Sequence, residues 1–186
     1  MNTETFAQTS FGKLFVKLLA SGMESKFRYR YFPPLNIIKG AGMESGQSVL
    51  EIGCGTGFFT IPTAKLIGNK GSLTAIDILQ GSVDLVSQKV KDADLKNVRV
   101  IKCNALDTHL DSQSFHTVLL FGVIPAPMIP LNSLLIELHR VLKEGGCLAV
   151  WPHIPGWLPE AILKSGLFSF TDKRMGVNNF KRLECM

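Results

Sequence analysis

Three alternate glycines, Gly53, Gly55 and Gly57, constrain the fold of this chain more than any other feature of its sequence. They close an apolar run at residues 48–53 that predicts a β-strand, and they precede a run at residues 58–67 that predicts a helix. Glycines at such a turn permit a tight bend and let a ligand approach the backbone near the positive end of the helix dipole. The turn therefore predicts a ligand site where a strand passes into a helix.

Short apolar runs alternate with longer amphipathic runs after the glycine turn, which is the pattern of a parallel sheet with helical crossovers. Further strands are predicted at residues 72–76, 98–102, 115–121, 147–151, 167–173 and 178–183. Further helices are predicted from Ser82, which is a good N-cap, at residues 131–142, and at residues 158–165. The second of these ends in the segment 143–146 (Lys-Glu-Gly-Gly), which offers a glycine suited to a helix stop. The chain is therefore expected to form an α/β domain.

The first 45 residues differ from the rest, so we predict an N-terminal extension at residues 1–45 and the main domain at residues 46–186. An amphipathic helix is predicted at residues 11–19, and an aromatic and basic cluster follows at residues 27–32. Two interpretations stay open. The extension is either a helical cap over a ligand site or an extra helix packed on the edge of the sheet.

Composition narrows the class of protein. The chain has 186 residues, of which 46% are hydrophobic and 19% charged, and this indicates one folded domain. Its formal net charge of +5 is compatible with an anionic partner, but no RNA-binding signature accompanies the basic residues, so nucleic acid is an unlikely partner although it is not excluded. Prolines 125, 127 and 130 interrupt the longest apolar stretch, so no membrane-spanning segment is expected.

The four cysteines, Cys54, Cys103, Cys147 and Cys185, are scattered along the chain. None forms a Cys-x-x-Cys pair and no histidine lies at a ligand-like spacing, so we expect no metal site and no disulfide framework. Scattered cysteines of this kind are typical of small core residues in a reducing compartment, and we therefore expect a cytoplasmic protein. A homodimer stays open.

Asp77 adds a second constraint on the ligand. It ends the second predicted strand, about 20 residues beyond the glycines, where an acidic side chain can accept hydrogen bonds from ribose hydroxyls. A dinucleotide-binding turn would have its third glycine one position later, where this chain has Phe58. The sequence therefore favours a nucleoside-containing cofactor other than NAD, bound at the carboxyl edge of the sheet.

Three segments together resemble one family. Residues 49–57 (Val-Leu-Glu-Ile-Gly-Cys-Gly-Thr-Gly) resemble the first motif of class I S-adenosylmethionine-dependent methyltransferases. Residues 115–121 resemble their fourth strand, and residues 138–146 resemble the helix-to-turn segment before their fifth strand. The chain looks most like the small-molecule branch that includes quinone-biosynthesis and arsenite methyltransferases.

The resemblance implies a Rossmann-like, seven-stranded, mostly parallel sheet with helices on both faces and an antiparallel last strand. It also implies S-adenosylmethionine as the cofactor and a small-molecule methyl acceptor. Alternatives within the same fold are an RNA or protein methyltransferase and a non-catalytic cofactor-binding partner protein. No Asn/Asp-Pro-Pro-Tyr/Phe sequence and no Pro-Cys pair follows the fourth strand, which disfavours amino-group and cytosine-C5 methylation.

The resemblance further implies which residues bind the cofactor. Glu51 would help hold the methionyl ammonium, and the backbone of residues 53–57 would line the methionine and sulfonium. Asp77 would bind the ribose hydroxyls, Ile78 would pack on the adenine, and the amide oxygen of Asn104 could accept a hydrogen bond from the adenine amine. The complete implied set is Glu51, Gly53, Cys54, Gly55, Gly57, Asp77, Ile78, Asn104, Ala105 and Phe121.

The histidines are weaker candidates. Methyl transfer needs a general base only when the acceptor must lose a proton, and His153, just past the fifth predicted strand, is the best-placed candidate. An ordinary loop histidine is the favoured interpretation of His153. His116 stands where the family usually has an aspartate and is expected to be structural, and His109 and His139 are expected to be surface or packing residues.

Overall fold

A single seven-stranded sheet organises the computed structural model, which describes residues 30–124, 129–152 and 160–184. The strands are β1 (Ser48–Ile52), β2 (Ser72–Asp77), β3 (Val98–Lys102), β4 (Phe115–Phe121), β5 (Leu142–Trp151), β6 (Phe168–Arg174) and β7 (Val177–Arg182). The described helices are α1 (Pro34–Gly40), α2 (Thr60–Ile67), α3 (Gln80–Asp92), α4 (Leu131–Val141) and α5 (Glu160–Lys164). Within these ranges no helix has the length and apolarity that a membrane span requires.

The strand order in the sheet is β3-β2-β1-β4-β5-β7-β6. Strands β1 to β5 pair in parallel, whereas β7 runs antiparallel to both β5 and β6. This confirms the predicted Rossmann-like sheet with its antiparallel last strand. The chain order reverses between β1 and β4, and such a switch point leaves a crevice at the carboxyl ends of the strands where ligands bind.

Alternate residues of the central strands face opposite sides of the sheet, and both sides are covered by helices. On one side, Leu50, Val118 and Leu148 belong to the core that α4 completes with Leu134, Leu135 and Leu138. On the other side, Val49, Leu119 and Ala149 pack with residues of α1 and α2. Helix α3 covers Ala75 on that second side through Val86 and Val90. The prediction of helices on both faces is therefore confirmed.

Two helix starts differ from their predictions. Helix α2 begins at Thr60 rather than at residue 58. Helix α3 begins at Gln80 with Leu79 as its N-cap, so the prediction that Ser82 caps this helix is wrong. The reason lies at the end of β2, where the carboxylate of Asp77 accepts a hydrogen bond from the Leu79 amide and turns the chain into the helix earlier.

The predicted glycine stop after α4 is also wrong. Helix α4 ends at Val141 and β5 begins at the next residue, so that the strand starts five residues earlier than predicted and contains Gly146. Leu142 pairs with Phe115, and the register then shifts before Thr117. A Cβ at residue 146 would lie 2.8 Å from the Lys143 carbonyl oxygen, so this glycine permits a bulged strand rather than ending a helix.

The described part of the N-terminal extension packs on the sheet domain. Ile37 and Ile38 of α1 are buried in the core with Val49. The Asn179 amide of β7 donates a hydrogen bond of 2.9 Å to the Gly40 carbonyl at the end of α1. The amphipathic helix predicted at residues 11–19 lies outside the described residues, and the division at residue 45 stays a prediction.

Candidate cofactor site

The glycine turn after β1 has the geometry that its sequence predicts. Gly53, Gly55 and Gly57 have positive φ angles of 70°, 53° and 82°, which side chains disfavour. The Gly53 amide donates a hydrogen bond of 2.8 Å to the Ile76 carbonyl, which ties the turn to β2. A Cβ on Gly53 would lie only 2.9 Å from a methyl carbon of Val123, so glycine is needed here for space as well as for conformation.

Asp77 holds the glycine turn in place. One carboxylate oxygen accepts a hydrogen bond of 2.9 Å from the Gly55 amide, and the other accepts one of 2.9 Å from the Leu79 amide. Burial raises the pKa of Asp77, and these backbone hydrogen bonds act in the opposite direction. A carboxylate has about four acceptor positions, so Asp77 can order the turn and still accept hydrogen bonds from a ligand.

Glu51 lies in β1, two residues before the glycine turn begins. Its carboxylate is only 2% exposed and accepts a hydrogen bond of 2.6 Å from the Thr60 hydroxyl. Burial, reinforced by the charge of Asp77, raises the pKa of Glu51 to about 8 although the Thr60 hydrogen bond lowers it. The hydroxyl of Thr56, within the turn itself, is buried and has no hydrogen-bond partner among the described residues. The turn thus combines acidic groups with an unused polar group.

A cavity opens at the carboxyl ends of β1, β2 and β3, on the side of the sheet that α4 covers. Its empty volume is about 740 Å³, including the part open to solvent. Five of the predicted site residues line it: Gly53, Asp77, Ile78, Asn104 and Ala105. The amide oxygen of Asn104 already accepts a hydrogen bond of 3.0 Å from the Leu106 amide, so only its second lone pair is available to a ligand.

The other five predicted site residues do not line this cavity. Glu51, Gly55 and Gly57 belong to β1 and the turn, as described above. Cys54 is buried in the core with Ala75 and residues of α3, and burial raises the pKa of its thiol. Phe121 ends β4 on the opposite face of the sheet. A cofactor could still meet these residues through the turn backbone, and their roles stay predictions.

Sequence reasoning missed eight lining residues, namely Ile52, Ile76, Cys103, Leu106, Val123, Ile129, Pro130 and Leu134. Most of them lie at or just after strand ends, as the predicted site residues do, so the strand assignments alone could have indicated them. The exceptions are Ile129, Pro130 and Leu134, which come from the start of α4. Their contribution depends on how that helix crosses the sheet, which no local signal in the sequence shows.

Aromatic rings gather at the ends of β4 and β5, on the face of the sheet opposite the cavity. Phe121 and Trp151 are paired neighbours there, and the ring centroid of Phe59 lies 5.1 Å and 5.8 Å from theirs. Phe32, which is 49% exposed, lies 6.0 Å from Trp151, and Phe58 lies 4.8 Å from Phe59. We call these five residues the aromatic edge. Because Phe58 directly follows Gly57, the aromatic edge adjoins the glycine turn.

The histidines occupy structural positions or lie outside the described residues. His116 lies 3.0 Å from the Ser48 amide and 3.0 Å from the Lys143 ammonium, at the start of β4. His139 lies 2.7 Å from the Leu183 carbonyl, and the exposed His109 lies 3.3 Å from Asp107. His153, the predicted base candidate, is outside the described residues. The described ranges contain no group of three or more side chains able to hold a metal ion.

Comparisons with known proteins agree with this geometry. A family model described as a methyltransferase domain matches residues 49–146, which run from β1 to the glycines of β5. The chain belongs to the class I S-adenosylmethionine-dependent methyltransferases. A demethylmenaquinone methyltransferase from Listeria welshimeri is 38% identical to this chain over 120 residues, which are 62% of this chain and 50% of the relative. The chain therefore spans about half the length of the curated relatives that it matches.

Two solved structures show the same fold. An S-adenosylmethionine-dependent methyltransferase from Aquifex aeolicus superposes with a TM-score of 0.72 at 24% identity, covering 88% of this chain and 95% of that one. An arsenic (III) S-adenosylmethionine methyltransferase from Chlamydomonas reinhardtii gives a TM-score of 0.51 at 27% identity, covering 59% of this chain and 38% of that one. These similarities confirm the predicted fold.

The residues present fit the methyl donor of this family. S-adenosylmethionine carries an adenosine, a methionyl ammonium and carboxylate, and a positively charged sulfur. The cavity offers apolar walls at Ile78 and Leu106 for a flat base, and Asp77 offers acceptors for hydroxyl groups. The Thr56 hydroxyl of the turn, which has no partner among the described residues, and the acidic Glu51 of β1 could bind a polar and cationic group there.

Proposed function

We propose that this methyltransferase binds S-adenosylmethionine at the glycine turn and transfers the methyl group to a small, apolar and aromatic acceptor. One observation carries the choice of donor. Two buried carboxylates, Glu51 and Asp77, flank the turn, and burial raises the pKa of both. A nearby positive charge would favour the ionised form of both carboxyls, and a sulfonium cofactor brings such a charge to the site.

The same pair of carboxylates disfavours a dinucleotide. Dinucleotide sites also carry a strand-terminal acid for the ribose, so Asp77 fits either cofactor, whereas a pyrophosphate would add negative charge close to the second, buried carboxyl of Glu51. Burial and the charge of Asp77 raise the pKa of Glu51 to about 8, so the ionisation of Glu51 beside Asp77 is unfavourable before any ligand arrives. A cationic nucleoside makes this ionisation less unfavourable, whereas an anionic one makes it more so.

The protein's part in methyl transfer is to hold and orient the reactants. When bound, S-adenosylmethionine supplies a methyl group that is already activated by the positive sulfur. Asp77 would hold the ribose hydroxyls, and Ile78, Ala105 and Leu106 would hold the adenine. Glu51 and the turn backbone would hold the methionyl end. Such fixed placement contributes to rate by keeping the nucleophile and the methyl carbon in line.

The aromatic edge supports an aromatic acceptor. It lies at the ends of β4 and β5, beyond the glycine turn, and its rings pack edge to face, as in Phe59 against Trp151. Trp151 is partly exposed, and Phe32 is about half exposed, so a planar acceptor could stack on either ring. The demethylmenaquinone methyltransferases among the relatives are consistent with a quinone-like ring.

We also propose a cytoplasmic location, supported by the free thiols of Cys54, Cys103 and Cys147.

Titration calorimetry on the full chain tests donor binding. We expect S-adenosylmethionine and its demethylated product to bind at one site. Asp77→Asn should weaken both by at least about tenfold, because it removes a charge-assisted acceptor from the site. The matched control is Asp84→Asn on the exposed face of α3, where the carboxylate accepts a hydrogen bond from Gln80. If neither ligand gives heat with the wild-type chain, the proposed donor is wrong.

Transfer of a labelled methyl group tests the acceptor class. The wild-type chain should label reduced naphthoquinones or simple phenols, and the labelled product should then extract into an organic phase. Trp151→Leu should raise the KM for such an acceptor and leave the affinity for S-adenosylmethionine unchanged, because Trp151 does not line the donor cavity. Labelling of RNA or protein in place of these acceptors would contradict the proposed class.

A further inference from the structure

A partly buried charged network joins the loop after β3 to helix α4. The Glu137 carboxylate accepts hydrogen bonds from both the amide and the hydroxyl of Thr108, at 2.9 Å and 2.5 Å. Arg140 donates to both oxygens of the same carboxylate, at 2.8 Å and 2.7 Å, and also to the Ser112 hydroxyl at 2.9 Å. We call Thr108, Glu137 and Arg140 the Glu137 clamp.

The two elements that the clamp joins are two walls of the cofactor cavity. The loop contributes its first residues, from Cys103 to Leu106, and Thr108 follows two positions later. Helix α4 contributes Leu134, which lies three positions before Glu137 and therefore on the same helix face. The clamp consequently holds the loop wall at a fixed distance from the helix wall.

Local hydrogen bonds make the loop wall move with Thr108. The Asn104 carbonyl accepts a hydrogen bond of 3.1 Å from the Asp107 amide, and its side-chain oxygen accepts one from the Leu106 amide. The Cys103 thiol donates to the Thr108 carbonyl at 3.4 Å. Residues 103–108 thus form one hydrogen-bonded turn, and a displacement of Thr108 displaces the lining residues as well.

We propose that Glu137 is a positioning residue for the cofactor, which sets the width of the adenine end of the cavity by holding the loop of residues 103–108 against α4. The inference rests on the proposed donor, since it assigns the apolar part of the cavity to the adenine. Glu137 itself does not line the cavity, so its effect reaches the ligand through Thr108 and the loop.

Glu137→Gln changes the charge and almost none of the volume. The amide oxygen can still accept from Thr108, but the amide nitrogen then faces the donor groups of Arg140 and the clamp opens on that side. Thr108→Val removes the hydroxyl and keeps the side-chain shape, whereas Thr108→Ser keeps both donors. The control Ser48→Ala removes a hydroxyl that donates to the Ser114 carbonyl at 2.8 Å, at the opposite end of the sheet.

The experiment measures the dissociation constants of S-adenosylmethionine and of 5′-methylthioadenosine, which lacks the amino acid part. We expect Glu137→Gln and Thr108→Val to weaken both ligands by the same factor, about tenfold, because small displacements of positioning groups have effects of this order. Thr108→Ser and Ser48→Ala should stay near wild type. With saturating cofactor, kcat should be unchanged and only the KM for the cofactor should rise.

A second readout does not depend on any ligand. The Cys103 thiol lines the cavity and is held by the clamp loop, so its alkylation by iodoacetamide, followed by peptide mass spectrometry, should be faster in Glu137→Gln than in wild type or Ser48→Ala. If wild type binds no S-adenosylmethionine, the proposed donor fails while this readout still tests the clamp. Unchanged alkylation, or faster alkylation with unchanged affinity for both ligands, would overturn the proposal.

Discussion

Replacement of Glu51 by glutamine should change how the stability of this methyltransferase depends on pH. The wild-type carboxyl is 2% exposed, and burial raises its pKa from 4.5 to about 8. Between these values the folded chain holds a proton that the unfolded chain releases. Linkage then requires the free energy of unfolding of wild type to fall as the pH rises from about 4.5 to 8. Glutamine has no such proton and keeps an oxygen that can accept from Thr60.

The size of the effect follows from the shift in pKa. A difference of roughly 3.5 units corresponds to an upper limit of about 4.8 kcal/mol at about 1.36 kcal/mol per unit. Buried charges relax and admit water, so we expect about 1–3 kcal/mol of this to be observed. Glu51→Gln should therefore unfold at higher urea concentration than wild type at pH 8, and the difference should shrink steadily toward pH 5.

Urea unfolding followed by circular dichroism, at half-unit steps from pH 5 to 8.5, measures this difference directly. The free energy of unfolding of the variant is subtracted from that of wild type at each pH. This difference removes the contribution of the other titrating groups, which both chains share, if the slope of the free energy against urea concentration stays constant. Parallel pH curves for the two chains would refute the reasoning. The variant should also bind S-adenosylmethionine more weakly at pH 8, because it cannot supply a negative charge to the methionyl ammonium.

Two further predictions concern the turn and the clamp. Gly53→Ala should lower the thermal unfolding temperature more than Gly122→Ala does. Both glycines have φ of +70°, but only at Gly53 would a Cβ lie 2.9 Å from Val123. Adding Val123→Ala should therefore remove the extra destabilisation of Gly53→Ala. In acid, Arg140 holds the pKa of Glu137 at about 2, so the clamp should stabilise the fold above about pH 4.5 and lose this contribution between pH 4.5 and 2. We expect the clamp to contribute about 1–2 kcal/mol to the free energy of unfolding, after allowing for solvent screening at the partly exposed Arg140. Urea unfolding of wild type and of Glu137→Gln measures this contribution.

The part of the site that the sequence predicts is the part built from short-range signals. Gly53 directly follows β1 and Asp77 is the last residue of β2, so their positions at the carboxyl edge depend only on recognising those strands. Asn104 follows β3 in the same way. Parallel strands bring their carboxyl ends together, and residues about 20 to 50 positions apart therefore line one cavity.

Element boundaries were less predictable, because hydrogen bonds other than the expected caps decide them. Ser82 has the ideal chemistry of an N-cap. However, α3 already begins at Gln80, because the Asp77 carboxylate accepts a hydrogen bond from the Leu79 amide. Gly146 has the chemistry of a helix stop, yet strand pairing of Leu142 with Phe115 ends the helix before it. In the first case a carboxylate two residues before Leu79 satisfies the backbone, and in the second a strand partner distant in sequence does so.

The Glu137 clamp shows the limit of local reasoning most clearly. In the sequence, Glu137 and Arg140 form an ordinary helical pair three positions apart, of a kind that contributes a few tenths of a kcal/mol. Thr108 lies 29 positions earlier, in a loop with no recognisable motif. Only the sheet order explains their meeting, because β3 lies at one edge while the loop after it must return across β2 and β1 to reach β4 beneath α4. The clamp is thus a consequence of the switch point that also creates the cavity, and its carboxylate acts on the cofactor through the fold.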